Sequence, residues 1–153
     1  RLLRSQKILP ALRKSNKSYY SHHRAATATA AAALRPIMTA TRIGTDDPRM
    51  SKIVVHNGVV YISGQTDATS DTIAGQTKNV LDKVDGLLAQ AGTSKSNLLT
   101  ASIWLKDIGR DFGGMNEVWN GWVDPENKPV RATVEANMAR EQLLIEVQVT
   151  AHT

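Results

Sequence analysis

The sequence contains no cysteine, so disulfides, thiolate metal sites and a thiol nucleophile are all excluded. Its four histidines, His22, His23, His56 and His152, form no i, i+4 pair and show no zinc-like spacing. No metal ligand set is therefore expected, and no Gly-rich phosphate loop is present to hold a nucleotide cofactor. The longest run of small apolar residues, AATATAAAAL, falls well short of the roughly 18 residues that a membrane span needs. Aromatic residues make up only 5% of the chain, and Tyr19 and Tyr20 are the only ones in its first 45 residues. Those 45 residues also lack any Asp or Glu.

They do hold nine of the 19 Lys and Arg residues, which leaves ten basic against all 14 acidic residues in the remainder, a balance near −4. The basic character thus belongs to the N-terminal stretch. That stretch is rich in Arg, Ser and Ala, with spaced apolar residues such as Leu2, Leu3, Ile8, Leu9 and Leu12. This is the composition of an organelle-targeting segment. A basic arm that binds nucleic acid is the alternative, and the scarcity of aromatics for base stacking weighs against it. The expectation is an address for the mitochondrial matrix, or alternatively a plastid, over residues 1–45, with a cytosolic form if translation starts at Met38. Residues 46–153 then make one domain, the number that a length of 153 residues favours.

Within the domain, KIVVHNGVVYIS reads as two alternating runs about Asn57-Gly58, a strong hairpin signal because both turn residues must accept positive φ. Ile53, Val55, Val60 and Ile62 would share one face, and Lys52, Val54, His56, Tyr61 and Ser63 the other. Ile73, Val80, Leu81, Val84, Leu87, Leu88 and Ala91 form a helical stripe, with Asp71 placed to cap its start and Gly92 its end. LLTASIWLK alternates again, with Leu99, Ala101, Ile103 and Leu105 on one side. A shorter helix after Asp111 would present Met115, Val118, Trp119 and Trp122, and Pro125 and Pro129 would stop it. The order β-β-α-β-α-β-β predicts a two-layer α+β domain with both helices on one sheet face. The other face, mixed in polarity, predicts self-association.

The last segment, PVRATVEANMAREQLLIEVQVTAH, reads as two strands about a turn near Met138 to Gln142. A hairpin there sets Thr133 opposite Glu146 and makes Arg131 the diagonal neighbour of Glu146. Arg131, Thr133, Glu135, Glu146 and Gln148 would then point to the uncovered face, and Ala132, Val134, Ile145, Val147 and Val149 to the helices. A guanidinium in that position can clamp a small carboxylate in bidentate fashion, and a nearby carboxylate can orient or deprotonate a water. The same pair also fits a plain cross-strand ion pair worth about 0–1 kcal/mol.

That segment, together with VVYISGQ, VLDKVDGLLAQAG, ASIWLKDI and DFGGMNEVW, resembles the RidA (YjgF) family in order from about Pro48 to His152. P-x-R-A-x-V-E-A is the most specific piece. The resemblance implies a chorismate-mutase-like fold and a homotrimer with clefts between subunits. It implies hydrolysis of reactive 2-enamines and 2-imines, such as 2-aminoacrylate released by pyridoxal-phosphate enzymes, to 2-keto acids and ammonia. It places the carboxylate-binding arginine at Arg131 and the water-handling glutamate at Glu146. The cleft serine falls on Ser63 beside the backbone donor of Gly64, and the cleft asparagine on Asn116. Thr133 stands where the best-known members have cysteine, and Arg49 or Met50 where they have a cleft aromatic, which marks a divergent branch. No cofactor, nucleic acid or membrane partner is implied. A non-catalytic module that binds small carboxylates or proteins through the same clefts is the competing reading.

Overall fold

In the computed structural model, which describes residues 39–153, Asn57 and Gly58 both hold positive φ, 52° and 75°. They join β2 (Ile53–His56) to β3 (Val59–Gln65). Ile53 pairs with Ile62 and Val55 with Val60, so the apolar set lies on one face as the alternation predicts. A short strand, β1 (Thr41–Ile43), pairs along β2 and begins the sheet four residues ahead of the expected boundary at 45. Of the expected targeting segment, residues 1–45, positions 1–38 lie outside the described residues.

Helix α1 (Ile73–Gln90) buries Val80, Leu81, Val84, Leu87 and Leu88 against the sheet. Its cap is Thr72, whose hydroxyl accepts from the Gly75 amide at 3.2 Å, and not the Asp71 expected from sequence. At the other end Gly92 takes φ 75°, and the amides of Gly92 and Thr93 donate to Ala89 and Leu88, closing the orphaned carbonyls of the last turn. After a turn of 3₁₀ helix at Lys95–Asn97, β4 (Leu98–Leu105) forms an interior strand one place in from the sheet edge. A bulge between Leu98 and Thr100 sends Leu98, not Leu99, into the core, so Leu99 stays exposed. Helix α2 (Ile108–Trp122) starts a turn earlier than Asp111, because the Asp107 carboxylate accepts from the Arg110 amide and Glu135 accepts from Ile108. Asp111 is left buried inside the first turn, in a bidentate pair with Arg110.

β5 (Val130–Glu135) and β6 (Ile145–His152) complete a mixed six-stranded sheet in the order β1-β2-β3-β6-β4-β5, with both helices on one face. The expected hairpin of the last two strands does not form. β5 pairs parallel with β4, as a helical crossover favours, and β6 takes the opposite edge of β4 in antiparallel register. The connection of residues 136–144 contains no glycine and is long enough to pass over the intervening strand, so nothing local enforces a tight turn. Pairing with β4 therefore decides which way β5 faces. Arg131, Thr133 and Glu135 align with the core residues Ala101, Ile103 and Leu105, on the helix side. Val130 and Val134 face the open side, 71% and 49% exposed, against the expectation that Ala132 and Val134 meet the helices. β6 keeps the expected faces, with Ile145, Val147, Val149 and Ala151 buried and Glu146, Gln148 and Thr150 on the open side.

Candidate active site

Arg131 and Glu146 thus emerge from opposite faces of the sheet, with β4 between their strands, a lateral gap of about 9–10 Å. They are not the diagonal neighbours that a hairpin would make. Each nonetheless sits in a defined cluster, and the sequence-derived site residues divide between the two.

The first cluster lies on the helix side of the edge strand. Arg131 Nη1 donates to Asn116 Oδ1 at 2.9 Å, and its guanidinium carbon lies 5.2 Å from the centroid of the Trp119 ring. Trp119 is buried and stacks in a tilted arrangement against Trp122, which is itself fixed by an indole bond to Asp85 at 2.8 Å. Helix α2 therefore presents Asn116 and Trp119, three residues apart on one face, as an acceptor and an aromatic platform for one arginine. Arg131 has no carboxylate partner among the described residues, so most of its donor fork is open to solvent. Thr133, two residues along, points to the same face, and its hydroxyl is buried without a hydrogen-bond partner. An unneutralised guanidinium beside an unsatisfied hydroxyl is an arrangement suited to a small oxyanion.

The second cluster lies on the open face, where β3 and β6 meet. Their register shifts between Ile62 and Gln65, and the resulting irregularity, which includes Ser63, holds Gly64 beside Glu146. The Glu146 carboxylate lies directly over Gly64: a Cβ added there would sit 2.9 Å from Glu146 Cδ and overlap the nearer oxygen. Glycine is required at 64 for this close approach. Ser63 Oγ accepts from the side-chain Nε2 of Gln65 at 3.0 Å. No salt bridge engages Glu146 among the described residues. Trp104, in register with Glu146 across β4 and β6, forms the side wall of a cavity of about 250 Å³ that Ala136, Asn137 and Met138 complete.

Arg49 and Met50 precede β2 near the far edge of the sheet, four strands or more from β5, or roughly 20 Å. Arg49 is bound to Asp47, whose carboxyl it holds down at about 2, so it is not a free anion receptor.

Sequence reasoning missed two further elements. Gln76 is fully buried, and its amide group bonds Ser70 O, Gln142 O and Leu144 N, each at 2.8 Å, pinning the start of β6 where Glu146 stands. A polar residue within the α1 apolar stripe is the signal that marks it. The role of Trp119 as a platform was hidden because an aromatic at that spacing reads equally well as core.

Comparison with known proteins identifies the family and the fold. A model for the family described as endoribonuclease L-PSP matches residues 45–153. A RutC family protein of Haemophilus influenzae is 41% identical over 116 residues, covering 74% of this chain and 98% of that protein. The RutC family protein YoaB of Escherichia coli is 35% identical over 114 residues, with shares of 74% and 98%. Among solved structures, a YjgF-family protein from Neisseria meningitidis is similar with a TM-score of 0.73 at 40% identity, over 76% of this chain and 96% of that one. A Rid-family protein of unknown function from Yersinia pestis has a TM-score of 0.66 at 28% identity, over 70% and 90%.

Proposed function

The chain belongs to the RutC/YjgF (Rid) family, and from that premise we propose that it hydrolyses reactive 2-enamines and 2-imines to 2-keto acids and ammonia. The observation that carries the reading is an unpaired cation and an unpaired carboxylate, each held in a prepared cluster, on opposite faces of one sheet. Within one chain they cannot meet. In a closed ring, where the interface joins two different surfaces of the same chain, Arg131 of one subunit faces Glu146 of the next and each cleft is complete. A homotrimer is the assembly we propose. The exposed apolar edge strand β5, with Val130 and Val134 open, supports an interface at that edge.

The chemistry follows from the groups. A protonated imine carbon is already electrophilic, so neither a covalent nucleophile nor a cofactor is needed. Arg131 holds the substrate carboxylate through its open donor fork, with the Thr133 hydroxyl as a further donor and Asn116 and Trp119 fixing the guanidinium. Glu146 accepts a proton as water adds to C2, giving a 2-amino-2-hydroxy acid. It then returns that proton to the amino group and takes up the hydroxyl proton as the C–N bond breaks, so that the carbonyl forms and ammonia departs. Ser63 and the Gly64 amide line the same side. The natural suppliers are pyridoxal-phosphate enzymes that release such imines, and the basic N-terminal stretch fits delivery to a mitochondrial compartment.

The test couples the protein to a pyridoxal-phosphate dehydratase that generates 2-aminoacrylate and follows keto-acid release. Acceleration that vanishes in Arg131→Ala supports the reading. Equal rates with and without the protein refute it, and in that case retained keto-acid binding by the wild type favours a non-catalytic carboxylate-binding module.

A further inference from the structure

The cavity beside Glu146 has a composition that the hydrolysis itself does not require. Three of its lining residues, Trp104, Ala136 and Met138, are apolar, and two, Asn137 and Glu146, are polar. The backbone that carries its walls is held in place. Trp104 is held by strand pairing on both sides, to Glu146 in β6 and Val134 in β5. The loop that carries Ala136, Asn137 and Met138 is tied down at both ends. The Ala136 amide donates to Leu105 O at 2.9 Å, and the Lys106 amide to Leu144 O at 2.9 Å. Lys106 Nζ donates to Glu141 O at 2.6 Å, and Gln76 holds Gln142 and Leu144.

A 2-imino acid presents three groups to such a pocket. Its carboxylate is repelled by Glu146 and belongs with Arg131. Its iminium is attracted to Glu146, which puts C2 at the cavity mouth. The remaining substituent, the side chain on C2, is what is left to enter the apolar walls. An apolar cavity of about 150 Å³ is enough to hold a benzene molecule. The 250 Å³ here takes more than the hydrogen or methyl of the smallest imines.

Resting on the deaminase reading, we propose that this cavity is the side-chain subsite and that Trp104 and Met138 direct the enzyme to imines with branched or aromatic apolar side chains. Two measurements on the full chain test it. The first is calorimetric binding of stable keto acids, which stand in for the imines: 4-methyl-2-oxopentanoate and phenylpyruvate should bind at least tenfold tighter than pyruvate, the range that a few buried carbons supply. The second is turnover of imines generated from leucine and from alanine by an amino-acid oxidase. Filling the cavity with Ala136→Leu, or with Met138→Trp should the first variant fail to fold, is expected to shift the ratio of the two kcat/KM values at least tenfold toward the small imine.

Equal affinity for large and small keto acids, or an unchanged ratio in a folded cavity-filling variant, overturns the subsite. Failure of the underlying function looks different. Size-selective keto-acid binding without turnover of any imine removes the deaminase reading and upholds the pocket, whereas turnover without size preference removes the pocket alone.

Discussion

Gly64→Ala separates the position of the Glu146 carboxylate from its presence. Gly64 does not occupy the left-handed region, so alanine fits its backbone. The added Cβ, however, falls 2.9 Å from Glu146 Cδ and 3.3 Å from Cγ, with the nearer oxygen in overlap. Restoring ordinary contact near 3.5 Å drives the carboxylate back by on the order of 1 Å. Because the displaced atoms are the end of a flexible side chain, the stability cost is that of an adjusted rotamer, about 1 kcal/mol. A general base moved by about 1 Å loses on the order of 100-fold in rate. Imine hydrolysis coupled to keto-acid detection should therefore fall about 100-fold in kcat while the urea midpoint barely moves. The double variant Gly64→Ala/Glu146→Gln should be no slower than Glu146→Gln alone, since both changes disable one group. Activity of Gly64→Ala within about threefold of wild type would refute Glu146 as the base, a role worth about 100-fold or more.

Three further outcomes are expected. Thr133→Val removes a buried hydroxyl that has no partner in the chain, so stability should hold or rise by up to about 1 kcal/mol while kcat/KM falls several-fold; unchanged kinetics would remove Thr133 from the site. Gln76→Ala strands Ser70 O, Gln142 O and Leu144 N, and urea unfolding should show a loss of about 3 kcal/mol; a loss below about 1 kcal/mol would mean that water replaces the amide. Asp67, nearly buried, is held well below the usual carboxylate range first by Lys83 at 2.6 Å, then by the hydroxyl and amide of Thr69, with burial opposing. Its folded pKa lies below the unfolded value near 3.9, so its stabilisation is complete above about pH 4 and drains as the pH falls toward the folded value. Asp67→Asn should lower Tm at pH 7 by about 5–10 °C, with the gap to wild type narrowing below about pH 4; a gap constant with pH would contradict the linkage.

Much of the fold can be read locally. Asn57-Gly58 specifies its turn by backbone freedom alone, the α1 stripe specifies a buried helix face, and the alternation of β6 specifies which residues meet the core. The features that escape a sequence reading depend on distant partners. β1 has three residues, too few for any periodicity, and exists because β2 offers it an edge. In β5, Val130, Ala132 and Val134 alternate with Arg131, Thr133 and Glu135, a pattern that fits either facing. Parallel register with β4 selects the one that exposes the valines.

The same register decided how much of the site was legible. The residue types at 131 and 146 fit a plain ion pair as well as a clamp and a base, and it is the family resemblance that implies the latter roles and adds Ser63, Gly64, Asn116 and Thr133. Which of these cluster within one chain was settled by strand order: Arg131 with Asn116, and Glu146 with Gly64. The cavity wall at Met138 escaped because it belongs to a loop whose path depends on Gln76, a contact spanning 66 residues of sequence.

The claim on which the rest depends is that a working site takes Arg131 from one subunit and Glu146 from another. Subunits of Arg131→Ala and Glu146→Gln, each inactive alone, should be unfolded together, refolded as a one-to-one mixture and assayed for imine hydrolysis. Random assembly in a closed ring pairs an intact Arg131 with an intact Glu146 at about a quarter of the interfaces, so about a quarter of wild-type activity should return. A mixture no more active than its two components would contradict the shared site.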